Sequence, residues 1–497
     1  MRRSAPGPVT WVIDSARVDP PQAPFRAREL ALPLGLSLVL GAAALGGGPG
    51  AVDDAYITFR YARNLAEGAG LVYNAGERVL GTSAPLFALI LAALHSLTGA
   101  AIPALAFLLG AACLPACAVV GYRLARRACG PLLAAVFVAA ALSPHASLEV
   151  FASGMETPLY LLGLLGAVEL ACRGRDAAAF AAASGLFFLH PDGAALVPAL
   201  LLALRAARGR WPWRRLALGL APAGAAAGAL VIAYGSPLPH SVTAKRLAYA
   251  MPAGHALLRL EETVLDTLVA YATPLAPVAI VLLAAGALAL LLAFGRRALA
   301  DPPVLAFAFF AGAYVAAFAL ANPLVFPWYR PPLALATAFV AIACASRLPR
   351  PARAGAAALL AVAACVHVAT FRPYDPSGRE AVYARAAGFL ALGSGDTVAA
   401  PEIGALGWAT RARVLDTVGL VSPAALRWLG PPLAEGGSIP PRLLRETDAG
   451  ALVALDRFLG PTLASDPGAL SRWTEVARLP ANAFGSAGTV RVFRRVR

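Results

Sequence analysis

The chain has 497 residues, 59% of them hydrophobic and only 14% charged, against about 45–50% apolar and about 25% charged in ordinary soluble domains. A soluble globular protein is excluded, and a polytopic membrane protein is expected. The net charge of +15 comes as arginines in short clusters between apolar stretches, with no compact basic run, so nucleic acid is excluded as a partner.

Residues 1–29 carry Arg2, Arg3, Arg17, Arg26 and Arg28, which marks this tail as cytoplasmic by the positive excess on inner loops. About 20 apolar residues cross a bilayer. Runs near that length lie at 30–48, 101–122, 131–148, 157–172, 176–189, 190–204, 216–234, 273–294, 302–321, 331–346 and 354–370. The first is expected to be an uncleaved anchor, because no small-residue cleavage site follows it. Arg123/Arg126/Arg127, Arg173/Arg175, Arg205/Arg208/Arg210/Arg214/Arg215, Arg296/Arg297 and Arg347/Arg350/Arg353 stand between runs and belong inside. The eleven crossings make 30–371 a membrane domain. Loops 49–83, 149–157, 235–272 and 322–330 then face outward with the tail. A further apolar stretch, 84–98, would break this parity by crossing, so it is read as a short helix in the interface or re-entering.

The tail, 372–497, holds 15 Arg and 11 Asp/Glu, with short apolar runs at Thr397–Ala400 and Val414–Leu415 between helical stretches such as 381–392. It reads as a small extracytoplasmic α/β domain. It has no cysteine, which excludes a disulfide framework. The six cysteines (113, 117, 129, 172, 344, 365) lie in or beside apolar runs, and none pairs with His at a zinc-ligand spacing.

The chemistry is expected in the outer loops. Gly46-Gly47-Gly48-Pro49-Gly50 ends the first helix. Asp53 or Asp54 then caps a new one running to about Glu67 and stopped by Gly68, with Arg60 and Arg63 projecting from it. Capping occupies one acid, and two adjacent acids at a membrane edge are costly unless solvated or used. One is available as a general base while its neighbour binds a metal, a sugar hydroxyl or an arginine. Asp53, first out of the Gly/Pro turn, is the preferred base.

Against 41 arginines the chain has a single lysine, Lys245, followed at once by Arg246 in an outer loop. A compact ammonium there suits a phosphate oxygen. Trp328-Tyr329-Arg330 joins an aromatic interface belt to a cation. His190 and Asp192 stand where two crossings meet at the outer face, although a capped turn through Pro191 and Gly193 accounts for them equally well. Glu156 precedes the helix start Thr157-Pro158, where the helix dipole favours an acid in any case.

The run Asp53–Asn64, followed by Gly70-Leu71-Val72-Tyr73-Asn74-Ala75-Gly76-Glu77-Arg78-Val79 and Thr82-Ser83-Ala84-Pro85-Leu86, resembles the first outer loop of GT-C glycosyltransferases. It is closest to the bacterial arabinofuranosyltransferase-like branch. Ser153–Thr157, Tyr234–Arg246 and Asp416–Leu420 fit the same pattern. Gly81 and His190 depart from it, standing where an acidic-Gly-aromatic pattern and an Arg are expected.

The resemblance implies an integral membrane glycosyltransferase of the bacterial plasma membrane. It would pass a sugar, with inversion, from a polyprenyl-phosphate donor to a glycan, lipid or protein acceptor of the cell envelope. It assigns Asp53 or Asp54 as the base and Lys245, Arg246, Arg330 and Arg60 to the donor phosphate. Tyr56, Glu156, His190, Asp192, His240, Trp328 and Tyr329 would surround the substrates. No cofactor is called for with certainty, and Asp53 and Asp54 can instead hold a divalent cation. No glycine-rich nucleotide fingerprint precedes a helix, which argues against a nucleotide-sugar donor. The alternatives are a lipid-linked glycan flippase, or an O-antigen-type ligase or polymerase. A flippase calls for inverted repeats and acids buried mid-span, whereas here Glu169 is the main acid away from the outer ends.

Overall fold

The computed structural model describes residues 27–249, 251–269, 301–373, 378–430, 438–483 and 486–496. The expected crossing at 273–294 and the Arg296/Arg297 pair lie outside them, as do the N-terminal arginines up to Arg26. The helical part holds α1 (Ala31–Leu45), α2 (Asp53–Ala66), α3 (Pro85–Thr98), α4 (Ile102–Cys129) and α5 (Pro131–Leu142). It continues with α6 (His145–Ala152), α7 (Thr157–Cys172), α8 (Asp176–Gly185), α9 (Leu196–Arg208) and α10 (Trp213–Tyr234). Then come α11 (His240–Ala248), α12 (His255–Val269), α13 (Pro302–Ala321), α14 (Arg330–Ala345) and α15 (Arg350–Thr370).

Among the described residues five helices are long and apolar enough to cross a membrane: α4, α10, α13, α14 with the turn before it, and α15. The run expected as one crossing at 131–148 is broken into two helices, α5 and α6, which together are apolar enough for one span and are bent by 72°. The cause is Pro144, which has no N–H to continue the ladder and takes extended backbone (φ −49°, ψ 141°). α1, α3, α7 and the stretch 176–188 are shorter apolar helices. The run at 190–204 is also displaced: a 3₁₀ turn fills Pro191–Ala195 and α9 begins only at Leu196. α4 continues to Cys129, so Arg123, Arg126 and Arg127 ride its last turns rather than a loop. α10 buries Gly219 alone and turns Leu218, Val231 and Ile232 outward. Such a face is stable against lipid rather than water.

The tail opens with α16 (Arg379–Leu390) and builds a five-stranded sheet in the order β2-β1-β3-β5-β4. β1 (Thr397–Ala400) pairs in parallel with β2 (Arg413–Asp416) and β3 (Ala451–Leu455), and β5 (Ser486–Arg495) lies antiparallel between β3 and β4 (Trp473–Ala483). The short helix α17 (Gly404–Ala409) joins β1 to β2. The expected strands at 397–400 and 414–415 are thus present. β3 is buried along its whole length, as its uninterrupted apolar sequence requires.

Segment 53–77 and the tail segment 402–414 are interlocked. Asn74 pairs with the backbone of the edge strand β2, its amide donating to Val414 O and its carbonyl accepting from Val414 N, both at 3.0 Å. That closes an edge otherwise open to foreign strands. Tyr73 donates its hydroxyl to Ile403 O (2.6 Å), and Arg413 meets Glu77 at 2.5 Å. α17 lies so close that a Cβ on Gly404 would sit 1.7 Å from Asp53 O, and one on Gly407 1.8 Å from the Tyr73 hydroxyl. Only glycine permits that approach.

Gly407→Ala is therefore expected to destabilise the protein by about 1–3 kcal/mol, read as a lower Tm in detergent. Gly388→Ala is the control, at a helical site where an added methyl meets nothing within 4 Å, and it should leave Tm unchanged or slightly raised. Equal Tm values for the two variants would contradict the interlock.

Candidate active site

α2 starts after Val52, which sits in extended backbone, and no side chain caps it. The expectation that Asp53 or Asp54 caps this helix is corrected. Both occupy its first turn, and neighbouring helical residues diverge by about 100°, so their carboxylates enter different surroundings. Asp53 turns toward the tail, where its Oδ2 accepts from Gly404 N (3.0 Å) and its Oδ1 from Ala405 N (2.8 Å). It caps α17, not α2. Asp54 turns the other way, toward Lys245 on α11, with Oδ2 and Nζ 3.5 Å apart.

The Asp53 side is a buried acid cluster. Arg379 meets Glu380 at 2.8 Å and Glu402 at 2.6 Å, and the Asp53 backbone N–H donates to Glu380 Oε1 at 3.2 Å. Burial pushes the Asp53 carboxyl up to about 6, although Arg379 and the Ala405 N–H pull it down. Burial likewise pushes Glu402 up to about 7 against the pull of Arg379. One arginine cannot neutralise three carboxylates in this setting. Both oxygens of Asp53, the preferred base in the sequence, are committed to the backbone.

The Asp54 side is open. Its side chain is 30% exposed and that of Lys245 21%. The ammonium also lies over the Phe326 ring at 4.7 Å. Burial opposes the Lys245 charge, but Tyr329 and Asp54 outweigh it and its pKa is raised. Beside this pair lies a second group. His190 stands at the break before the Pro191–Ala195 turn, its Nδ1 against the Asp192 carboxylate and its Nε2 3.8 Å from Glu156 Oε1. Tyr160 stacks on its ring (centroids 5.6 Å, 15°), and Tyr329 meets it edge-on at 5.1 Å. Burial raises the Glu156 pKa while His190 lowers it, and Asp54 and Lys245 are near enough to act on it too. Glu156 Oε1, Asp192 Oδ2 and the Tyr160 hydroxyl are buried with no hydrogen-bond partner. Unpaired buried polar atoms are costly, and all three belong to residues that surround the His190 ring.

Asp54, Lys245, Glu156, His190, Asp192 and Tyr329 are thus brought together. Arg60 is not: its guanidinium is buried over Tyr73, donating to the carbonyls of Tyr73, Gly407 and Ala412, each at 2.8 Å. Those donors are spent on the interlock, which corrects its assignment to phosphate. Arg330 faces Glu262 on α12 at 3.7 Å instead of the lysine. Arg246 follows Lys245 on α11 and is exposed. Tyr56 packs near Trp408 in the interlock (6.4 Å), and burial lowers the pKa of His240, whose ring lies against Gly419. Trp328 stacks on Phe326 at 4.8 Å, on the rim. The sequence reading missed Tyr160 and Tyr314, the latter donating to Tyr329 O at 2.7 Å. Hydroxylated aromatics inside apolar runs were their signal. At Gly81, which follows Leu80 where an acidic-Gly-aromatic pattern is expected, a Cβ would press on Val421 and Leu420 O at 2.6 and 2.7 Å.

A divalent cation shared by Asp53 and Asp54 does not fit these residues, since one carboxylate is bonded to backbone and the other faces an ammonium. Among the described residues no three His, Cys, Asp or Glu side chains are grouped to hold a metal. An apolar groove of about 450 Å³ runs between α8, α9 and α10, lined by Phe187, Phe188, Val197, Pro198, Leu220 and Ala223. Ala194, two residues from Asp192, also lines it.

A family model described as a domain of unknown function (DUF8728) matches residues 375–493. Among curated proteins none matches the sequence. In structure the chain is similar to ArnT from Cupriavidus metallidurans bound to undecaprenyl phosphate, at 14% identity and a TM-score of 0.58 over 93% of this chain and 97% of that one. It is also similar to the Archaeoglobus fulgidus oligosaccharyltransferase in complex with zinc and sulfate, at 10% identity and a TM-score of 0.52 over 92% and 72% of the two chains. Arabinofuranosyltransferase AftD from Mycobacteria aligns over 96% of this chain and 40% of that one, at 17% identity and a TM-score of 0.49. The fold is that of the GT-C glycosyltransferases.

The acid cluster generates a pH dependence. Asp53 and Glu402 hold their protons more tightly folded than unfolded, where carboxyls titrate near 4. Their contribution to stability is full below that value and is lost as pH rises through about 6–7. Between about pH 5 and 8, the Tm of wild-type protein should fall more than that of Glu402→Gln. Parallel falls would contradict the assignment.

Proposed function

We propose that the chain is a membrane glycosyltransferase that moves a sugar from a polyprenyl-phosphate donor to a cell-envelope acceptor. The observation that carries this reading is the Asp54–Lys245 pair, formed by the chain's single lysine, open on one side and flanked by the unsatisfied Glu156–His190–Asp192 group. A base beside an ammonium is what a displacement at a sugar phosphate requires. Asp54 takes the proton of an acceptor hydroxyl as it attacks the anomeric carbon. Lys245 stabilises charge on the departing phosphate. Direct displacement inverts the anomeric centre.

The groove between α8, α9 and α10 is apolar and reaches the Asp192 turn, which suits the prenyl tail. The likeness in fold to ArnT bound to undecaprenyl phosphate supports the same class of lipid. In this reading residues 30–371 form the membrane domain with eleven crossings and residues 1–29 are cytoplasmic. Residues 372–497 lie outside the bacterial plasma membrane, where the acceptor binds.

The test is transfer by purified protein from polyprenyl-monophosphate sugars. Asp54→Asn should lower the rate by about two to four decades with Tm nearly unchanged, because the carboxylate is partly exposed and its ion pair contributes little to stability. Asp53→Asn should lower Tm, because the amide nitrogen faces a backbone N–H. Full transfer by the Asp54→Asn protein would overturn the assignment, and transfer only from oligosaccharide pyrophosphate lipids would favour the ligase reading.

A further inference from the structure

Within the cluster, His190 has no role yet. Its Nδ1 is occupied by Asp192, which fixes the ring and its tautomer. Its Nε2 points toward Glu156 Oε1 but stops at 3.8 Å, beyond hydrogen-bond reach. His190 is buried as a residue, and the carboxylate oxygen opposite is buried with no hydrogen-bond partner. The groups facing the ring are Asp192 from its own turn, Glu156 and Tyr160 from the start of α7, and Tyr329 from the turn before α14. Tyr314 of α13 faces Asp192, and Lys245 of α11 acts from across Tyr329. Two carboxylates flank the imidazole against one more distant ammonium, and flanking carboxylates favour the charged ring.

A charged imidazole buried beside a phosphate site is more than a positive charge, since it carries a proton that can leave near neutral pH. Lys245 cannot do this, because its pKa is raised. We propose that His190 is the acid of the reaction, giving its Nε2 proton to the departing phosphate, with Asp192 holding the imidazole from behind. This rests on the glycosyltransferase reading and names the group that completes it. As the bond from the anomeric carbon to the bridging oxygen breaks, its electron pair stays with the phosphate. The Nε2 proton joins a phosphate oxygen, so the lipid leaves as a monoanion. Meanwhile the acceptor oxygen bonds to the anomeric carbon and its proton passes to Asp54. Return of that proton from Asp54 to His190 restores both groups, and no further reactant is consumed.

The experiment is the pH profile of transfer from the polyprenyl-monophosphate sugar that the wild-type protein accepts, between about pH 5.5 and 9. In wild-type protein kcat should fall on the alkaline side as the imidazole loses its proton. His190→Gln should lower kcat by about two decades and remove that alkaline limb, with KM for the donor changed far less. His190→Arg keeps a charge but has no proton to give at these pH values, so it should restore KM and not kcat. Full kcat in His190→Arg would overturn the acid role in favour of a merely electrostatic one, and an alkaline limb surviving in His190→Gln would overturn it outright. If neither variant folds, the wild-type profile decides, since kcat flat across the alkaline range contradicts the proposal. Wild-type protein silent with every monophosphate sugar would overturn the glycosyltransferase reading itself, and this inference with it.

Discussion

The structure depends on one buried carboxylate. Asp53, the first residue of α2, reaches the tail and binds the first two N–H groups of α17. Around that contact the two halves of the chain hold each other: Arg60 through the carbonyls of Gly407 and Ala412, Asn74 through the edge of β2, and Tyr73 through Ile403. Each is a polar group buried by the approach of the other half, and each has its partner there, as burial requires. The outer loop therefore has a fixed shape before any substrate arrives. Preorganisation of this kind positions catalytic groups.

Rigidity on one side of α2 leaves the other side free. The same helical turn that commits Asp53 to the tail presents Asp54 to Lys245. The division of labour between adjacent acids follows from the 3.6-residue period, not from any difference between the two side chains. Exposure is then graded across the group. A carboxylate and an ammonium stand at the partly exposed edge, and beside them lies a buried imidazole between two carboxylates. An apolar groove approaches this inner group. A ligand with a long apolar tail and an anionic head fits that order, as the proposed donor requires.

Much of this was legible in the sequence. Composition alone gave the membrane class, and the Gly/Pro run at 46–50 announced the new helix that begins at Asp53. The lone lysine, Glu156, His190 and Asp192 were readable because charge in apolar surroundings must be used or paired. What escaped was anything decided by contacts between distant segments. Nothing near Asp53 in sequence says that its partners are Gly404 and Ala405, so its capping partner was sought in α2. Arg60 looked like an exposed cation because its four acceptors lie in Tyr73, Asn74, Gly407 and Ala412. The bend inside the run at 131–148 escaped for a local reason, since apolarity carried the reading past Pro144.

The measurement that bears most directly on the account is a structure of the purified protein with undecaprenyl phosphate bound. The account predicts the phosphate within hydrogen-bond reach of Lys245 Nζ, with the prenyl tail in the groove between α8, α9 and α10. At the far end of α7, Glu169 sits among Arg123, Arg127 and Arg173, a second basic cluster that an anionic lipid can also meet. A phosphate seated on those arginines, with Lys245 still paired only to Asp54, would contradict it.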